Sequence, residues 1–256
     1  MEINVMAVVG AGTMGHGIAQ VALQAGFQVR LEDVTKDILK RAQDRIAFGL
    51  AKGVEKGKLT GAQKEEMLKN LTLTTGFSGC ADADFVIEAV AEDFSVKKGV
   101  FTELDRVCRP EVILATNTSS ISITKIAATT SNPSRVVGMH FFNPVPVMRL
   151  VEIIRGLASG EKTVAVTHQL AERLGKISVE AADYPGFLAN RIILPMINEA
   201  IYALMEGVGT AEAIDNVMKL GANHPMGPLA LADLIGLDVC LAIMRTLCEG
   251  FGEPKY

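Results

Sequence analysis

Residues 5–20 read VMAVVGAGTMGHGIAQ, and this stretch decides the fold of the first part of the chain. The run Val5–Val9 is apolar and largely β-branched, which predicts a buried strand. Gly10, Gly12 and Gly15 follow in GxGxxG spacing, and residues 15–25 have the pattern of a helix. A helix that starts beside such a loop offers N–H groups and a partial positive charge to phosphate. The stretch therefore predicts a strand–turn–helix unit that binds a dinucleotide.

Each residue of this loop has its own task in that interpretation. Gly10 permits the tight turn, Gly12 lets the backbone approach a pyrophosphate, and Gly15 lets the helix pack closely on the strand. Thr13 and Met14, which lie between the second and third glycines, are predicted cofactor contacts as well. The alternative is a glycine-rich turn that binds no ligand.

An acid closes the second apolar run of the chain. Asp33 stands about 20 residues after the glycine loop, where a carboxylate accepts a hydrogen bond from a ribose 2′-hydroxyl and repels a 2′-phosphate. We therefore expect NAD rather than NADP as the cofactor, with the neighbouring Glu32 as the solvated acid. A simple strand-end acid is the alternative for Asp33.

Apolar runs and helix-like segments alternate up to about residue 184. The predicted strands are residues 5–9, 29–31, 85–87, 112–115, 136–139 and 150–155, and the predicted helices are residues 15–25, 37–53, 62–70 and 96–106. Such alternation predicts βαβ units and a mostly parallel sheet with helices on both faces. The predicted fold class is therefore α/β, with a Rossmann-type NAD-binding domain over residues 1–184.

The character of the sequence changes at DYPG, residues 183–186. Helical patterns follow at residues 187–205, 210–220 and 228–249, without a convincing strand, and Thr210 is the expected cap of the second. These helices are apolar on more than one side, so they need a further surface to cover them, either the first domain or a second subunit. We expect a smaller all-helical domain over residues 185–256 and a homodimer formed through it.

Composition excludes several classes of protein. The 256 residues carry a net charge of −4 with a pI near 5.7, which argues against a general nucleic-acid binder. No apolar run of about 18 residues predicts a membrane span, and no secretory signal precedes the first strand, so we expect a cytoplasmic protein. The four cysteines have no zinc-like spacing, so we expect free thiols and no metal.

Residues 138–155 read GMHFFNPVPVMRLVEIIR, an apolar run that holds one histidine and one acid. His140 follows a predicted strand, at the edge where open α/β sheets bind ligands. On a strand, Glu152 shares a face with Leu150 and Ile154, so its carboxylate is partly buried and needs a partner. A carboxylate bound to one ring nitrogen would orient His140 and leave the other nitrogen to act as a base. The residue pattern alone leaves a catalytic pair and a structural histidine equally open.

Several stretches together resemble a known family. They are VVGAGTMGHGIAQ, AVAEDFSVKKGVF, LATNTSSISITKIA, GMHFFNPVPVMRLVEIIRG, DYPGFLANRI and LGANHPMGPLALADLIGLD. The chain resembles the short-chain 3-hydroxyacyl-CoA dehydrogenase family and, within it, the bacterial 3-hydroxybutyryl-CoA dehydrogenases. The resemblance implies an NAD-dependent oxidoreductase that interconverts (S)-3-hydroxyacyl-CoA and 3-ketoacyl-CoA, with 3-hydroxybutyryl-CoA and acetoacetyl-CoA as the expected pair.

The resemblance also implies roles for single positions. His140 matches the catalytic base and Glu152 the acid that orients it. Ser119 matches a catalytic residue that contacts the substrate and the nicotinamide, and Asn190 matches a residue of the helical domain that reaches the substrate. Further cofactor contacts are implied at Glu92, Lys97 and Asn143. The residue pattern alone favours a helix cap for Ser119 and a surface amide for Asn190.

Coenzyme A needs cations for its phosphates. On the helix after Asp37, four basic residues fall on one stripe at helical spacing: Arg41, Arg45, Lys52 and Lys56. A solvated face is the usual explanation of such a stripe. The resemblance matches Lys52 and Lys56 to coenzyme A contacts.

Two alternatives to this function remain open, and the resemblance has one departure. The alternatives are a related β-hydroxyacid dehydrogenase that acts on a free acid or a sugar acid, and a non-enzymatic NAD-binding or structural protein on the same scaffold. The departure is at the end of the chain, because the family usually continues beyond the point where this sequence stops, at GEPKY. We therefore expect either a trimmed C-terminal domain or an incomplete sequence.

Overall fold

The computed structural model describes residues 2–253 and 255–256, which form eight β-strands and ten α-helices. The strands are β1 (Val5–Val9), β2 (Gln28–Glu32), β3 (Leu71–Thr74), β4 (Phe85–Glu88), β5 (Ile113–Thr116), β6 (Val136–Phe141), β7 (Leu150–Arg155) and β8 (Ile177–Ala182). The helices are α1 (Thr13–Gln24), α2 (Lys36–Glu55), α3 (Gly61–Lys69), α4 (Phe94–Val107), α5 (Ile123–Ala127), α6 (Glu161–Arg173), α7 (Ala189–Met205), α8 (Ala211–Asn216), α9 (Pro228–Ile235) and α10 (Leu237–Phe251). None of the helices in this described part of the chain is long and apolar enough to cross a membrane.

The strands form one sheet in the order β3-β2-β1-β4-β5-β6-β7-β8. Neighbouring strands are parallel except β6 and β7, which run antiparallel. Strand order reverses between β1 and β4, the kind of position where open sheets bind ligands at their carboxyl ends. A mostly parallel α/β sheet followed by helices confirms the predicted fold class.

The central strands are hydrophobic because both faces of the sheet are covered. Each residue of β4, β5 and β6 is buried, which suits their runs of β-branched and aliphatic side chains. Phe27, Phe85 and Phe101 are among the largest side chains that are fully enclosed. This packed centre gives the loops at the strand ends a rigid base.

Two strands, β3 and β8, were not predicted from the sequence, and both lie at the edges of the sheet. β3 and β8 each have a neighbour on one side only, so part of each strand faces solvent. Their sequences, LTLT and ISVEAA, alternate or mix polar and apolar residues and form no apolar run. A search for buried strands therefore misses them.

The chain divides into two compact units, Met1–Asp183 and Tyr184–Tyr256. The second unit contains α7 to α10 and, within the residues that the structure describes, no strand. The Thr210 side chain accepts a hydrogen bond from Ala213 N (3.2 Å), so the predicted cap of α8 is confirmed. The prediction of one helix over residues 228–249 is wrong, because Gly236, with φ of +100°, separates α9 from α10.

Candidate active site

The glycine loop follows β1 and leads into α1, as predicted. Its three glycines differ in how much room the neighbouring atoms leave for a side chain. A Cβ atom on Gly10 would collide with the carbonyl of Ala89, and one on Gly15 would collide with the carbonyl of Gly10. A Cβ atom on Gly12 would meet no described atom within 4 Å. Packing within the chain therefore requires the first and third glycines. The bare backbone at Gly12 faces open space, which is what a pyrophosphate would need.

The start of α1 and the end of β2 complete this corner of the site. Gly12 is the N-cap of α1, and among the described residues no side chain caps the helix, so Thr13 and Met14 open it without a side-chain acceptor. Asp33 follows β2; its carboxylate accepts hydrogen bonds from Ala11 N (2.7 Å) and Val34 N (2.7 Å). A carboxylate has further lone pairs for a ribose hydroxyl. These residues fit the phosphates and ribose of NAD.

The expectation that Glu32 is solvated is wrong. Glu32 is the last residue of β2 and is only 4% exposed, because the 3₁₀ turn Phe77–Cys80 packs beside this strand. Its carboxylate accepts a hydrogen bond from Gly76 N (3.2 Å). Burial raises the pKa of Glu32 above its usual value, partly offset by the Gly76 hydrogen bond, while the charge of Asp33 adds to the rise. Of the two neighbouring acids, Asp33 is the one placed at the loop.

His140 and Glu152 face each other across the antiparallel pair of β6 and β7. Nδ1 of His140 lies 2.8 Å from Oε2 of Glu152, and the two side chains are only 9% and 2% exposed. His140 is the fifth residue of β6, so it lies within the strand near its carboxyl end. The Phe142 ring packs against it, with the ring centroids 4.7 Å apart. The geometry is that of an imidazole held by a buried carboxylate.

The burial of Glu152 has a different cause from the one expected. Strand alternation predicted one inward face for β7, yet Val151 and Ile153 on the other face are buried as well. β7 lies between β6 and β8 with both faces covered, so every position from 151 to 154 is enclosed. A carboxylate at any of them would need a partner, and the register supplies His140.

Asn143 lies in the exposed segment that joins β6 to β7, and its peptide bond to Pro144 is cis. Lys176 anchors this segment: its ammonium donates hydrogen bonds to the carbonyls of Val145 and Met148. Lys176 is buried, and burial lowers the pKa of its side chain. The contact of Asn143 with the cofactor stays a prediction.

Ser119 lies in the loop after β5, and the carboxylate of Glu92 accepts hydrogen bonds from this loop. Oε1 of Glu92 accepts hydrogen bonds from the Thr118 hydroxyl (2.7 Å), from N (2.8 Å) and Oγ (3.1 Å) of Ser119, and from N and Oγ of Ser120 (3.0 Å each). Oε2 of Glu92 lies 3.4 Å from the ammonium of Lys97, which is 1% exposed. Burial alone would raise the pKa of Glu92, but Lys97 and these donors outweigh it, and the pKa lies below its usual value.

The basic stripe lies on the exposed face of α2. Arg41, Arg45 and Lys52 belong to the helix, and Lys56 caps its C-terminal end; all four side chains are exposed. Phe48 stands within the stripe and is 62% exposed, with the ammonium of Lys52 4.5 Å from its ring centroid. The stripe thus combines cations with an exposed aromatic ring.

Asn190 belongs to the other unit. It is the second residue of α7 and is half-buried. Within this helical unit, the guanidinium of the neighbouring Arg191 lies 4.1 Å from the ring centroid of Phe251. The contact of Asn190 with the substrate stays a prediction.

Sheet topology explains why the sequence-predicted residues of the first unit meet. β1, β2, β4, β5 and β6 are mutually parallel, so their carboxyl ends share one edge. That edge carries Gly10, Asp33, Glu88, the Ser119 loop and His140. Sequence analysis missed Glu88, which ends β4 and is completely buried. Two features of the sequence could have identified Glu88: it is a charged residue at the end of an apolar run, FVIE, and a possible partner, Lys97, follows nine positions later.

Comparison with known proteins gives a consistent result along the chain. A family profile described as 3-hydroxyacyl-CoA dehydrogenase, NAD binding domain, matches residues 5–184. A second profile, 3-hydroxyacyl-CoA dehydrogenase, C-terminal domain, matches residues 186–256.

Individual proteins are similar over the same extent. A probable 3-hydroxybutyryl-CoA dehydrogenase of Bacillus subtilis is 54% identical over 100% of this chain and 89% of its own length. The 3-hydroxybutyryl-CoA dehydrogenase of Bradyrhizobium diazoefficiens is 51% identical over 99% of this chain and 87% of its own. The crystal structure of an (S)-3-hydroxybutyryl-CoA dehydrogenase from Ralstonia eutropha superposes with a TM-score of 0.98 at 46% identity, covering 100% of this chain and 90% of that one.

Proposed function

Because this chain belongs to the 3-hydroxyacyl-CoA dehydrogenase family and carries its NAD-binding domain, we propose that it interconverts (S)-3-hydroxybutyryl-CoA and acetoacetyl-CoA. The relatives named 3-hydroxybutyryl-CoA dehydrogenases support this choice of substrate. The observation that carries the proposal is the buried His140–Glu152 pair at the ligand edge of the sheet, 2.8 Å apart.

The pair performs the proton transfer of this reaction. NAD, held by the glycine loop after β1 and by Asp33, would supply the acceptor for the hydride on the carbon that bears the hydroxyl group. His140 takes the hydroxyl proton, and Glu152 keeps the ring oriented through Nδ1 and stabilises the imidazolium that forms. In the reverse direction His140 returns the proton to the ketone oxygen. For this step the hydroxyl of Ser119 turns from Glu92 to the substrate and donates a hydrogen bond to the reacting oxygen or the thioester carbonyl, which fixes the reactive geometry.

The stripe on α2 holds the nucleotide end of coenzyme A. Lys52 and Lys56 supply charge to its phosphates, with Arg41 and Arg45 on the same exposed face. Phe48 offers a ring on which adenine can stack, since every base has an apolar face. A net charge of −4 makes such a local basic surface necessary for an anionic substrate.

A direct assay tests the proposed function. When acetoacetyl-CoA is added to purified protein and NADH, the absorbance of NADH should fall as NADH is oxidised. Free acetoacetate should be a poor substrate. Binding of both ligands without turnover would instead support a non-enzymatic protein on the same scaffold. Turnover of free acetoacetate in preference to its thioester would support a related β-hydroxyacid dehydrogenase.

The homodimer forms through the helical unit. Large apolar side chains are exposed there, among them Met205 (70%), Val208 (76%), Val217 (66%), Leu220 (82%) and Leu234 (71%). Light scattering coupled to size exclusion should give twice the monomer mass, and Leu220→Glu should shift it toward monomer. Leu157→Glu, at a 90% exposed position of the other unit, is the matched control. A wild-type monomer would refute this assembly.

A further inference from the structure

Glu88 is a buried carboxylate to which neither the sequence nor the family resemblance assigned a role. Its side chain is 0% exposed and accepts hydrogen bonds from Val90 N (2.7 Å), Lys97 Nζ (2.7 Å) and Thr116 Oγ1 (2.6 Å). Enclosing a carboxylate and an ammonium is costly, and an apolar pair of the same size is often as stable. The pair is better explained by what it holds in place.

Two routes lead from Glu88 to the loop of residues 117–120, one through hydrogen bonds alone and one that includes the ion pair of Lys97 with Glu92. On the first, the Thr116 hydroxyl donates to Glu88 and accepts from Thr118 N (3.2 Å). On the second, Lys97 bridges Glu88 and Glu92. Oε1 of Glu92 then accepts all the hydrogen bonds that residues 118–120 donate to this carboxylate. Both routes end at the backbone and side chains around Ser119.

The same loop is also tied to the strand that carries the histidine. Asn117 N donates to the backbone carbonyl of Glu88 (2.8 Å), and Oδ1 of Asn117 accepts from Phe141 N (2.9 Å). Phe141 follows His140 directly in β6. Glu88, the Ser119 loop and the His140 strand are therefore joined by continuous hydrogen bonds.

From this network we propose that Glu88 is a positioning residue, which fixes the Ser119 loop relative to His140 through Thr116 and Lys97. The proposal rests on the role of Ser119 in the proposed function. Glu88 itself touches neither substrate nor cofactor in this scheme. It sets the angle at which the Ser119 hydroxyl meets the reacting oxygen, and a buried charged network holds that angle more rigidly than apolar packing would.

Thr116 offers a matched pair of variants for the test. Thr116→Val removes the hydroxyl at constant shape and leaves Glu88 Oε2 and Thr118 N without this partner, whereas Thr116→Ser keeps the hydroxyl. Amide hydrogen exchange over residues 117–121 should rise roughly tenfold in Thr116→Val and stay near wild type in Thr116→Ser. In Glu88→Gln the side chain has only one oxygen, so it cannot accept hydrogen bonds from both Lys97 and the Thr116 hydroxyl as Glu88 does. Its amide exchange should match that of Thr116→Val, and it replaces Thr116→Val if that variant does not fold.

Kinetics supply the second measurement. Thr116→Val should lower kcat for acetoacetyl-CoA reduction roughly tenfold with a smaller change in the NADH KM, and Thr116→Ser should restore kcat. Equal exchange in wild type and Thr116→Val, or faster exchange spread evenly over both units, would overturn the proposal. Absence of turnover in the wild-type protein would refute the proposed function instead, and the exchange comparison would still decide whether Glu88 fixes the loop.

Discussion

At the scale of single residues, the site depends on charges that are enclosed with a partner. Twelve positions separate His140 from Glu152 in sequence, and only the antiparallel register of β6 and β7 brings them to 2.8 Å. Asp33 is likewise fixed by backbone N–H groups of the glycine loop and of its own turn. These contacts orient the side chains of His140, Glu152 and Asp33, and efficient proton transfer and selective binding both require oriented groups.

The carboxylate of Glu152 should be essential to turnover. In Glu152→Gln the side chain keeps its size, but an amide cannot stabilise the imidazolium, so kcat should fall by roughly 10² to 10⁴-fold. The Kd for NADH, measured by fluorescence, should stay the same. Glu161→Gln, which alters a 90% exposed glutamate paired with Arg155, should leave kcat unchanged. A kcat for Glu152→Gln within threefold of wild type would remove its assigned role.

Asp33 should set the choice between the two nicotinamide cofactors. Asp33→Asn keeps an oxygen for Ala11 N and loses the charge that repels a 2′-phosphate, so the preference for NADH over NADPH should fall by roughly tenfold or more. Ratios of kcat/KM for the two cofactors measure this directly. Asp37→Asn, at an exposed position in the first turn of α2, is the control for lost charge. An unchanged ratio in Asp33→Asn would place the ribose elsewhere.

At the scale of elements, helix α2 has an apolar face that packs on the core and a basic face that is exposed to solvent. The inner face of α2 buries Leu39, Ala42, Ile46 and Leu50, while the basic stripe occupies exposed positions. Thr35 caps the start of the helix by accepting from Ile38 N (3.3 Å). The stripe can therefore be altered without disturbing the packing that holds α2 against α1.

Loss of charge from the stripe should weaken coenzyme A binding selectively. The double variant Lys52→Ala, Lys56→Ala should raise the KM for acetoacetyl-CoA roughly tenfold at low salt, since exposed charge pairs each contribute up to about 1 kcal/mol. The KM for acetoacetyl-pantetheine, which lacks the nucleotide, should not change. Lys40→Ala, a lysine of the same helix paired with Asp44, is the matched control. An equal rise in KM for both substrates would argue against the stripe as a phosphate site.

At the scale of the whole molecule, buried ion pairs tie distant segments of the sheet unit together. Arg135 precedes β6 and donates to the carboxylate of Asp105 on α4 (2.8 Å) and to the carbonyl of Arg109 (2.7 Å). The two side chains of the pair are 5% and 16% exposed. Ser131 N also donates to Asp105 (2.9 Å), so this carboxylate joins α4 to the segment between α5 and β6.

Asp105 should make stability depend on pH in the acid range. Burial alone would raise its pKa, but hydrogen bonds from Arg135 and Ser131 outweigh burial, and the pKa lies below its usual value. A carboxyl group with a lowered pKa stabilises the fold above its unfolded pKa, and that contribution is lost as pH falls through the folded pKa. Because Asp105→Asn also leaves the buried guanidinium of Arg135 without its carboxylate, it should lower the free energy of unfolding by about 1–3 kcal/mol at neutral pH, and by progressively less below about pH 4.

Urea unfolding of wild type and Asp105→Asn across this pH range measures the effect. Asp44→Asn, at an exposed position paired with Lys40, should change the free energy of unfolding by less than about 1 kcal/mol. A difference between wild type and Asp105→Asn that stays constant down to acid pH would contradict the linkage.

The amino-acid sequence by itself determined the glycine loop, the α/β class and the segment that carries His140 and Glu152. These features are local: the spacing of glycines, the period of apolar residues and a polar residue inside an apolar run all act within a few positions of one another. The prediction for Glu32 failed because the burial of this side chain depends on distant neighbours. Glu32 is buried by a turn some 45 residues later in the chain, between Phe77 and Cys80.

Only the tertiary structure decided how these local features combine. Sheet order and register brought His140 to Glu152, Asn117 to Phe141, and Lys97 to Glu88. Neighbouring strands and helices bury His140, Glu152, Lys97 and Glu88, so each of these side chains needs a specific partner. The sequence thus specified which chemical groups are present, and long-range packing decided which of them share a hydrogen bond, because that depends on distances between segments far apart in the chain.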